Sequence, residues 1–273
     1  VALIVDVGVN LNYKGRNNWV RFKAIWINKF KKMKKKENMN RYPIEEYPIE
    51  IYDNYIIAVI EEEKIFLDTG SNISISDGCE LNILGKNYTF RRNFMYFSID
   101  NINQCLGRQV NVLLGMDVLR NLNFFIDYRR KRIQFSQNSL NLLGTHISLE
   151  FFDSRPIVAL QVNGENVRVF WDTGAKITYL NPNITNQYNF IGRTEDCHPA
   201  IGKFKTNIYE IPIILGNRKF TIRAGNLPEQ IQQNLITIQS QSGTQGFLGN
   251  NIFEYFNICF NFCNEEIILV DNL

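Results

Sequence analysis

The chain has 273 residues, 45% of them apolar and 21% charged, with a formal net charge of +3. This balance suits a globular protein with room for two small domains, each with its own core. The longest apolar runs, such as residues 55–60, are five or six residues, which excludes a transmembrane helix.

The net charge hides an asymmetry. Residues 1–38 carry ten Lys and Arg against Asp6 and Glu37, whereas the remainder carries 20 basic against 25 acidic residues. The run from Lys29 to Lys36, with Trp19, Phe22 and Trp26 upstream, has the chemistry to meet nucleic acid or an anionic membrane. Its composition equally suits a disordered, solvated tail. A third reading places the true start at Met39, with the preceding codons untranslated. The first five residues are too short for a signal-peptide core, and the chain lacks an initiating Met.

Past this extension, residues 55–67 read as strand, charged turn (Glu61-Glu62-Glu63) and strand. The second strand, ending Ile65-Phe66-Leu67, runs directly into Asp68-Thr69-Gly70-Ser71. Leu113-Leu114-Gly115 follows, then a short helix-like stretch, a strand, the turn Arg129-Arg130-Lys131 and a closing strand. The pattern then starts again. Residues 156–171 form a strand, an Asn163-Gly164 hairpin turn and a strand ending Val169-Phe170-Trp171, which runs into Asp172-Thr173-Gly174-Ala175. Phe247-Leu248-Gly249 follows, again with a short helix-like stretch, a strand, a turn (Asn264-Glu265-Glu266) and a strand. Residues 113–135 and 247–269 align without a gap. Apolar positions hold register while the turn charges change sign, as expected where strands are buried and turns exposed.

A lone Asp-Thr-Gly reads as an ordinary turn. Two copies in matching contexts, each behind a buried strand, suggest carboxyls that meet and share a proton. On these residues the chain resembles the retropepsin-like aspartic proteases over roughly residues 42–270. The resemblance implies an all-β fold of two tandem, β-barrel-like domains related by a pseudo-twofold axis, each with a short helix. The expected division is a basic extension at 1–38, a first domain at 39–144 and a second at 145–273. Retroviral proteases use one such unit per chain and dimerise, and pepsin-like enzymes fuse two longer lobes. Here a monomer with an internal pseudo-dimer is expected.

The resemblance implies an aspartic endopeptidase with Asp68 and Asp172 as its catalytic pair, acting on an extended peptide or protein. Thr69 and Thr173 would reach across the axis to the opposite loop. Gly70 and Gly174 would permit close backbone approach. Ser71 and Ala175 complete the loops, and a Ser71 hydroxyl bonded to Asp68 would make Asp68 the more acidic member. No cofactor and no metal is implied, and the folded body is not expected to bind nucleic acid. The alternative is a catalytically inactive peptide- or protein-binding module on the same fold.

The halves differ in one interval. From Asp68 to Gly115 there are 47 positions, but from Asp172 to Gly249 there are 77. The family carries its substrate-covering flap here. The stretch Pro199 to Lys205, followed by residues 209–215, reads as that hairpin, with Gly202 near the tip and Ile201 and Phe204 as candidate substrate contacts. The five cysteines are odd in number and widely spaced, which reads as free thiols and a cytoplasmic location. Adjacent Cys197 and His198 are a weak alternative nucleophile pair, since neighbours in sequence rarely meet the geometry.

Overall fold

In a computed structural model, which describes residues 43–272 except 95 and 96, the fold is all-β with helices only as connections. The basic extension, residues 1–38, lies outside the described residues. The apolar runs behind each Asp-Thr-Gly become strands covered on both faces. Glu63–Leu67 and Glu165–Trp171 are buried over their last three residues, where they run into the Asp-Thr-Gly loops, as strands enclosed by other layers must be.

The repeat seen in the sequence is a repeat of sheet topology. In the first half the strand order is Ile44–Tyr52, Tyr55–Ile60, Glu63–Leu67, Val112–Leu114, Ile75–Ser76. In the second it is Glu150–Phe152, Arg155–Val162, Glu165–Trp171, Gly246–Leu248, Thr178–Leu180. In both, the third strand pairs in parallel with the fourth and every other junction is antiparallel. Tight turns link the first strands. Asp53-Asn54, Asp153-Ser154 and Asn163-Gly164 each hold two consecutive positive φ angles, the geometry that matches strand twist in a two-residue hairpin. Glu61-Glu62 does the same without glycine.

The halves are joined by a shared sheet. The closing hairpin of the first half, Asn123–Asp127 with Arg132–Ser136, pairs through Asn123–Asp127 with Phe256–Asn261 of the second half. Phe256–Asn261 pairs in turn with Glu266–Asp271, and Thr145–Ser148 closes that side. The register sets Phe124 opposite Phe260. Their rings stack with centroids 4.5 Å apart, and Phe135, Phe262 and Trp171 pack around them at 5.6–5.9 Å. Aromatic pairs of this kind contribute about 0.5–1.5 kcal/mol each beyond their buried area. The strand carrying Trp171 into the second Asp-Thr-Gly is therefore packed on the junction between halves.

The longer interval of the second half holds more than a hairpin. Strands Phe190–His198 and Gly202–Leu215 form the hairpin, with Gly202 at φ +76° beside the tip. Arg218–Gly225 follows, and then a 14-residue helix, Glu229–Ser242. The sequence reading does not foresee this helix. Its residues EQIQQNLITIQSQS are nearly all polar or β-branched, and only Ile231 and Ser242 are buried. Its apolar stripe, Ile231, Leu235 and Ile238 at helical spacing, is sparse and set among Gln, Asn, Ser and Thr, so it stands out weakly. The shorter interval of the first half holds a hairpin, Glu80–Ile83 with Lys86–Thr89, whose Leu81 and Ile83 are buried in the core. It also holds the helix Ile99–Leu106, capped by Ser98 Oγ at 3.2 Å from the Asn101 amide.

The cysteines depart from expectation. Cys105 and Cys197, 92 residues apart, form a disulfide, while Cys79, Cys259 and Cys263 are free. Free thiols carried the cytoplasmic expectation, so the fold leaves that expectation without its support. The bridge also removes Cys197 as a nucleophile. Among the described residues no helix is long and apolar enough to cross a membrane.

Candidate active site

Each Asp-Thr-Gly loop leaves a buried strand at the same place in its half. The Asp68 amide donates to Leu114 O at 3.0 Å and the Asp172 amide to Leu248 O at 2.9 Å, so the apolar pair before Gly115 and before Gly249 anchors the Asp backbone. Thr69 and Thr173 are fully buried and bond reciprocally. Thr69 Oγ1 donates to Trp171 O at 2.6 Å and accepts from the Thr173 amide at 3.0 Å. Thr173 Oγ1 donates to Leu67 O at 2.9 Å and accepts from the Thr69 amide at 3.0 Å. Both hydroxyls thus use donor and acceptor capacity across the axis, which removes the cost of burying them.

This crossing brings the glycines against the opposite carboxyls. A Cβ on Gly70 would lie 2.5 Å from Asp172 Cγ, and one on Gly174 would lie 2.6 Å from Asp68 Cγ. No larger residue fits without moving an Asp. The two carboxyls lie close enough to each other to share a proton. Asp68 Oδ1 accepts from the amides of Gly70 and Ser71, both at 2.9 Å. Asp172 Oδ1 accepts from the Gly174 amide at 2.8 Å.

Both carboxyls are pushed above the ordinary aspartate range. For Asp68 the causes are loss of water, then the charge of Asp172, opposed by the two amides. For Asp172 loss of water again acts first, but the Gly174 amide, the bond from Asp68 and the charge of Arg155 oppose it. Burial and the nearness of the two charges make it costly for both to ionise, so the pair holds one proton above the ordinary aspartate range. Titration still belongs to the pair.

The expectation that Asp68 is the more acidic member rested on a bond from the Ser71 hydroxyl, and that bond is not made. Ser71 Oγ donates to Ile73 O at 2.8 Å and accepts from the Ile73 amide at 3.3 Å, closing a local turn away from the carboxyl. Ser71 acts on Asp68 through its backbone only. Ser71→Ala is therefore expected to leave the pH dependence of any activity of this site unchanged. Displacement of the acidic limb by half a pH unit or more in a kcat/KM profile would show that the hydroxyl reaches Asp68.

Two mirrored pairs of supports escape a reading centred on the Asp-Thr-Gly. Ser74 Oγ donates to Asp117 Oδ1 at 2.5 Å and accepts from the Gly115 amide at 2.8 Å. In the second half Thr178 Oγ1 donates to Asn251 Oδ1 at 2.9 Å and accepts from the Gly249 amide at 3.3 Å. Further along each loop, Asn72 Nδ2 donates to Asp153 at 2.9 Å and Lys176 Nζ to Asp53 at 2.8 Å, so each loop reaches a tight turn of the opposite half. Arg155 Nη2 also bonds Asp153, at 3.0 Å. Ser74 and Thr178, Asn72 and Lys176, and Asp117 and Asn251 sit at equal offsets from the two Asp or the two Gly. Extending the repeat alignment to polar positions would have found them.

The hairpin residues Ile201, Gly202 and Phe204 are half-buried. Gly202 and Ile201 are at the tip, and the Phe204 ring rests against Tyr179 with centroids 6.3 Å apart. Phe190–His198 is the last strand of its eight-stranded sheet. Among the described residues there is no cluster of three or more His, Cys, Asp or Glu able to hold a metal ion.

No family model matches the chain, and no curated protein does. Among solved structures, an EIAV protease complexed with the inhibitor HBY-793 is similar at 19% identity and a TM-score of 0.28, over 37% of this chain and 86% of that one.

Proposed function

We propose that the chain is an aspartic endopeptidase built from two tandem retropepsin-like units, residues 39–144 and 145–273, with one site between them. The observation that carries this is the crossing of the two Asp-Thr-Gly loops by reciprocal Thr69 and Thr173 bonds, which sets Asp68 and Asp172 side by side and buried, where one carboxyl keeps a proton while the other is charged. A binding module has no use for two desolvated carboxyls in contact, since their repulsion opposes folding.

The chemistry follows from that division of charge. Asp172 takes a proton from a water as the water attacks the scissile carbonyl carbon. Asp68 gives its proton to the carbonyl oxygen, forming a tetrahedral diol. The proton gained by Asp172 then passes to the amide nitrogen. As the C–N bond breaks, Asp68 recovers a proton from the diol. No covalent enzyme intermediate and no metal is required. Substrate is an extended peptide that pairs through its backbone with the edge strand Phe190–His198 and the hairpin tip at Ile201 and Gly202, with Phe204 among the side-chain contacts. The test is internal cleavage of an extended-peptide mixture by the purified chain, lost in Asp172→Asn. Equal product from both proteins would remove the pair from the chemistry.

A further inference from the structure

The hairpin beside the pair is rooted in one half and fastened to the other. Its inner strand, Gly202–Leu215, pairs with Arg218–Gly225 and Arg155–Val162 of the second half. Its outer strand, Phe190–His198, is tied near the tip to the first half. Cys197 is disulfide-bonded to Cys105 in the helix Ile99–Leu106, with Cα atoms 5.2 Å apart. The His198 ring meets Phe97 edge-on at 6.4 Å. The buried Asp196 accepts from Tyr55 Oη of the first half at 2.8 Å and from Tyr179 Oη of the second. Glu195 O accepts from Lys176 Nζ, which also bonds Asp53. Lys176 directly follows Ala175, so the outer strand lies against the second Asp-Thr-Gly loop. Tyr55 and Tyr179 both lie within electrostatic reach of Asp172.

The hairpin is therefore a strap with both ends fixed, beside the two carboxyls. The tyrosine, lysine and ring contacts break and re-form thermally. The disulfide does not, and it opens only by exchange with a thiol.

We infer that Cys105–Cys197 is a redox latch on substrate entry, holding the strap closed when oxidised and freeing its tip when reduced. The inference rests on the peptidase reading of the site. The reaction needs a dithiol reductant. Its thiolate attacks one sulfur of the bridge and expels the other cysteine as a thiolate. The second thiol of the reductant then displaces the mixed disulfide. Cys105 and Cys197 end as two thiols holding the two electrons and two protons that the dithiol gives up, and the reductant leaves as a disulfide. Asp196 and Lys176 continue to favour the closed strap after reduction, but reversibly. Where only a minor fraction of molecules is open, apparent activity scales with that fraction.

The test uses the full chain purified without reductant, the same protein treated with dithiothreitol, and the variants Cys105→Ser and Cys197→Ser. Cleavage of one extended peptide is measured, together with ¹⁹F spectra of protein carrying fluorotyrosine, the Tyr55 and Tyr179 signals being assigned by Tyr→Phe variants. The expected result is kcat/KM at least about tenfold lower in the oxidised wild type than in the other three, an open fraction below roughly a tenth. Dithiothreitol should activate the wild type only, and the two tyrosine signals should shift or broaden on reduction as Asp196 leaves them. Equal rates with unchanged signals, or faster cleavage by the oxidised form, would overturn the latch. Signals that respond to reduction while no form cleaves peptide would support the strap and overturn the peptidase reading instead.

Discussion

Asp172→Asn is expected to lower kcat/KM by about 10³-fold or more while leaving the fold intact, and Asp68→Asn to do the same. Asn keeps the shape of the carboxyl and can still accept from the loop amides. It cannot carry the exchangeable proton or the charge that the two-carboxyl mechanism divides between its members. The substitutions should also change stability in the opposite direction to activity. Asp68 is held above the ordinary aspartate range by burial and by Asp172. The unfolded chain loses its proton in the ordinary range, whereas the native pair retains one to higher pH. Native protein then binds more protons than unfolded protein, so stability falls as pH rises from the ordinary aspartate range towards the folded value. Asp68→Asn removes that penalty. Its Tm at neutral pH should equal or exceed that of the wild type, and the difference should shrink towards pH 3. Wild-type activity, or a variant that unfolds at neutral pH, would contradict this account of the site.

Gly70→Ala and Gly174→Ala are expected to be the single-methyl changes that act most directly on the two carboxyls. Neither glycine has a positive φ, so alanine suits the backbone at both. The difficulty is space alone, because the new Cβ would fall 2.5 Å from Asp172 Cγ or 2.6 Å from Asp68 Cγ. Overpacking of this kind costs roughly 1–3 kcal/mol in stability. A displacement of a reacting carboxyl by about 1 Å costs on the order of 10²-fold in rate. The loss should fall on kcat, since the added methyls meet the reacting carboxyls. Thermal unfolding together with steady-state kinetics checks both parts. Unaltered kcat in both variants would mean that the loops do not cross as closely as described.

What could be read from the sequence follows from where the constraints are local. The strand-to-Asp-Thr-Gly junctions, the apolar-apolar-Gly pairs and the closing hairpins recur at fixed offsets, so the repeat exposes them and implies their meeting. The Phe190–His198 hairpin is legible at its tip because Gly202 and the flanking alternation mark it, although its first arm begins upstream of Pro199. Other features depend on tertiary placement. Cys105 and Cys197 meet only because the hairpin folds onto the helix Ile99–Leu106 of the other half. Nothing in a separation of 92 residues announces that. The same placement buries Asp196 between Tyr55 and Tyr179, residues remote in sequence. The Ser71 hydroxyl had two partners within reach, and the local backbone of Ile73 holds it. The helix Glu229–Ser242 carries only a sparse apolar stripe, Ile231, Leu235 and Ile238, among polar residues.

The shared proton can be observed without knowing any substrate. Protein labelled with ¹³C at the aspartate side-chain carboxyl carbons is titrated from pH 3 to 9, with the Asp68 and Asp172 signals assigned by the Asn variants. The account predicts that the pair still holds one proton after exposed aspartates have ionised, and that the two signals titrate in coupled steps. Independent ionisation of both carboxyls in the ordinary aspartate range would contradict it.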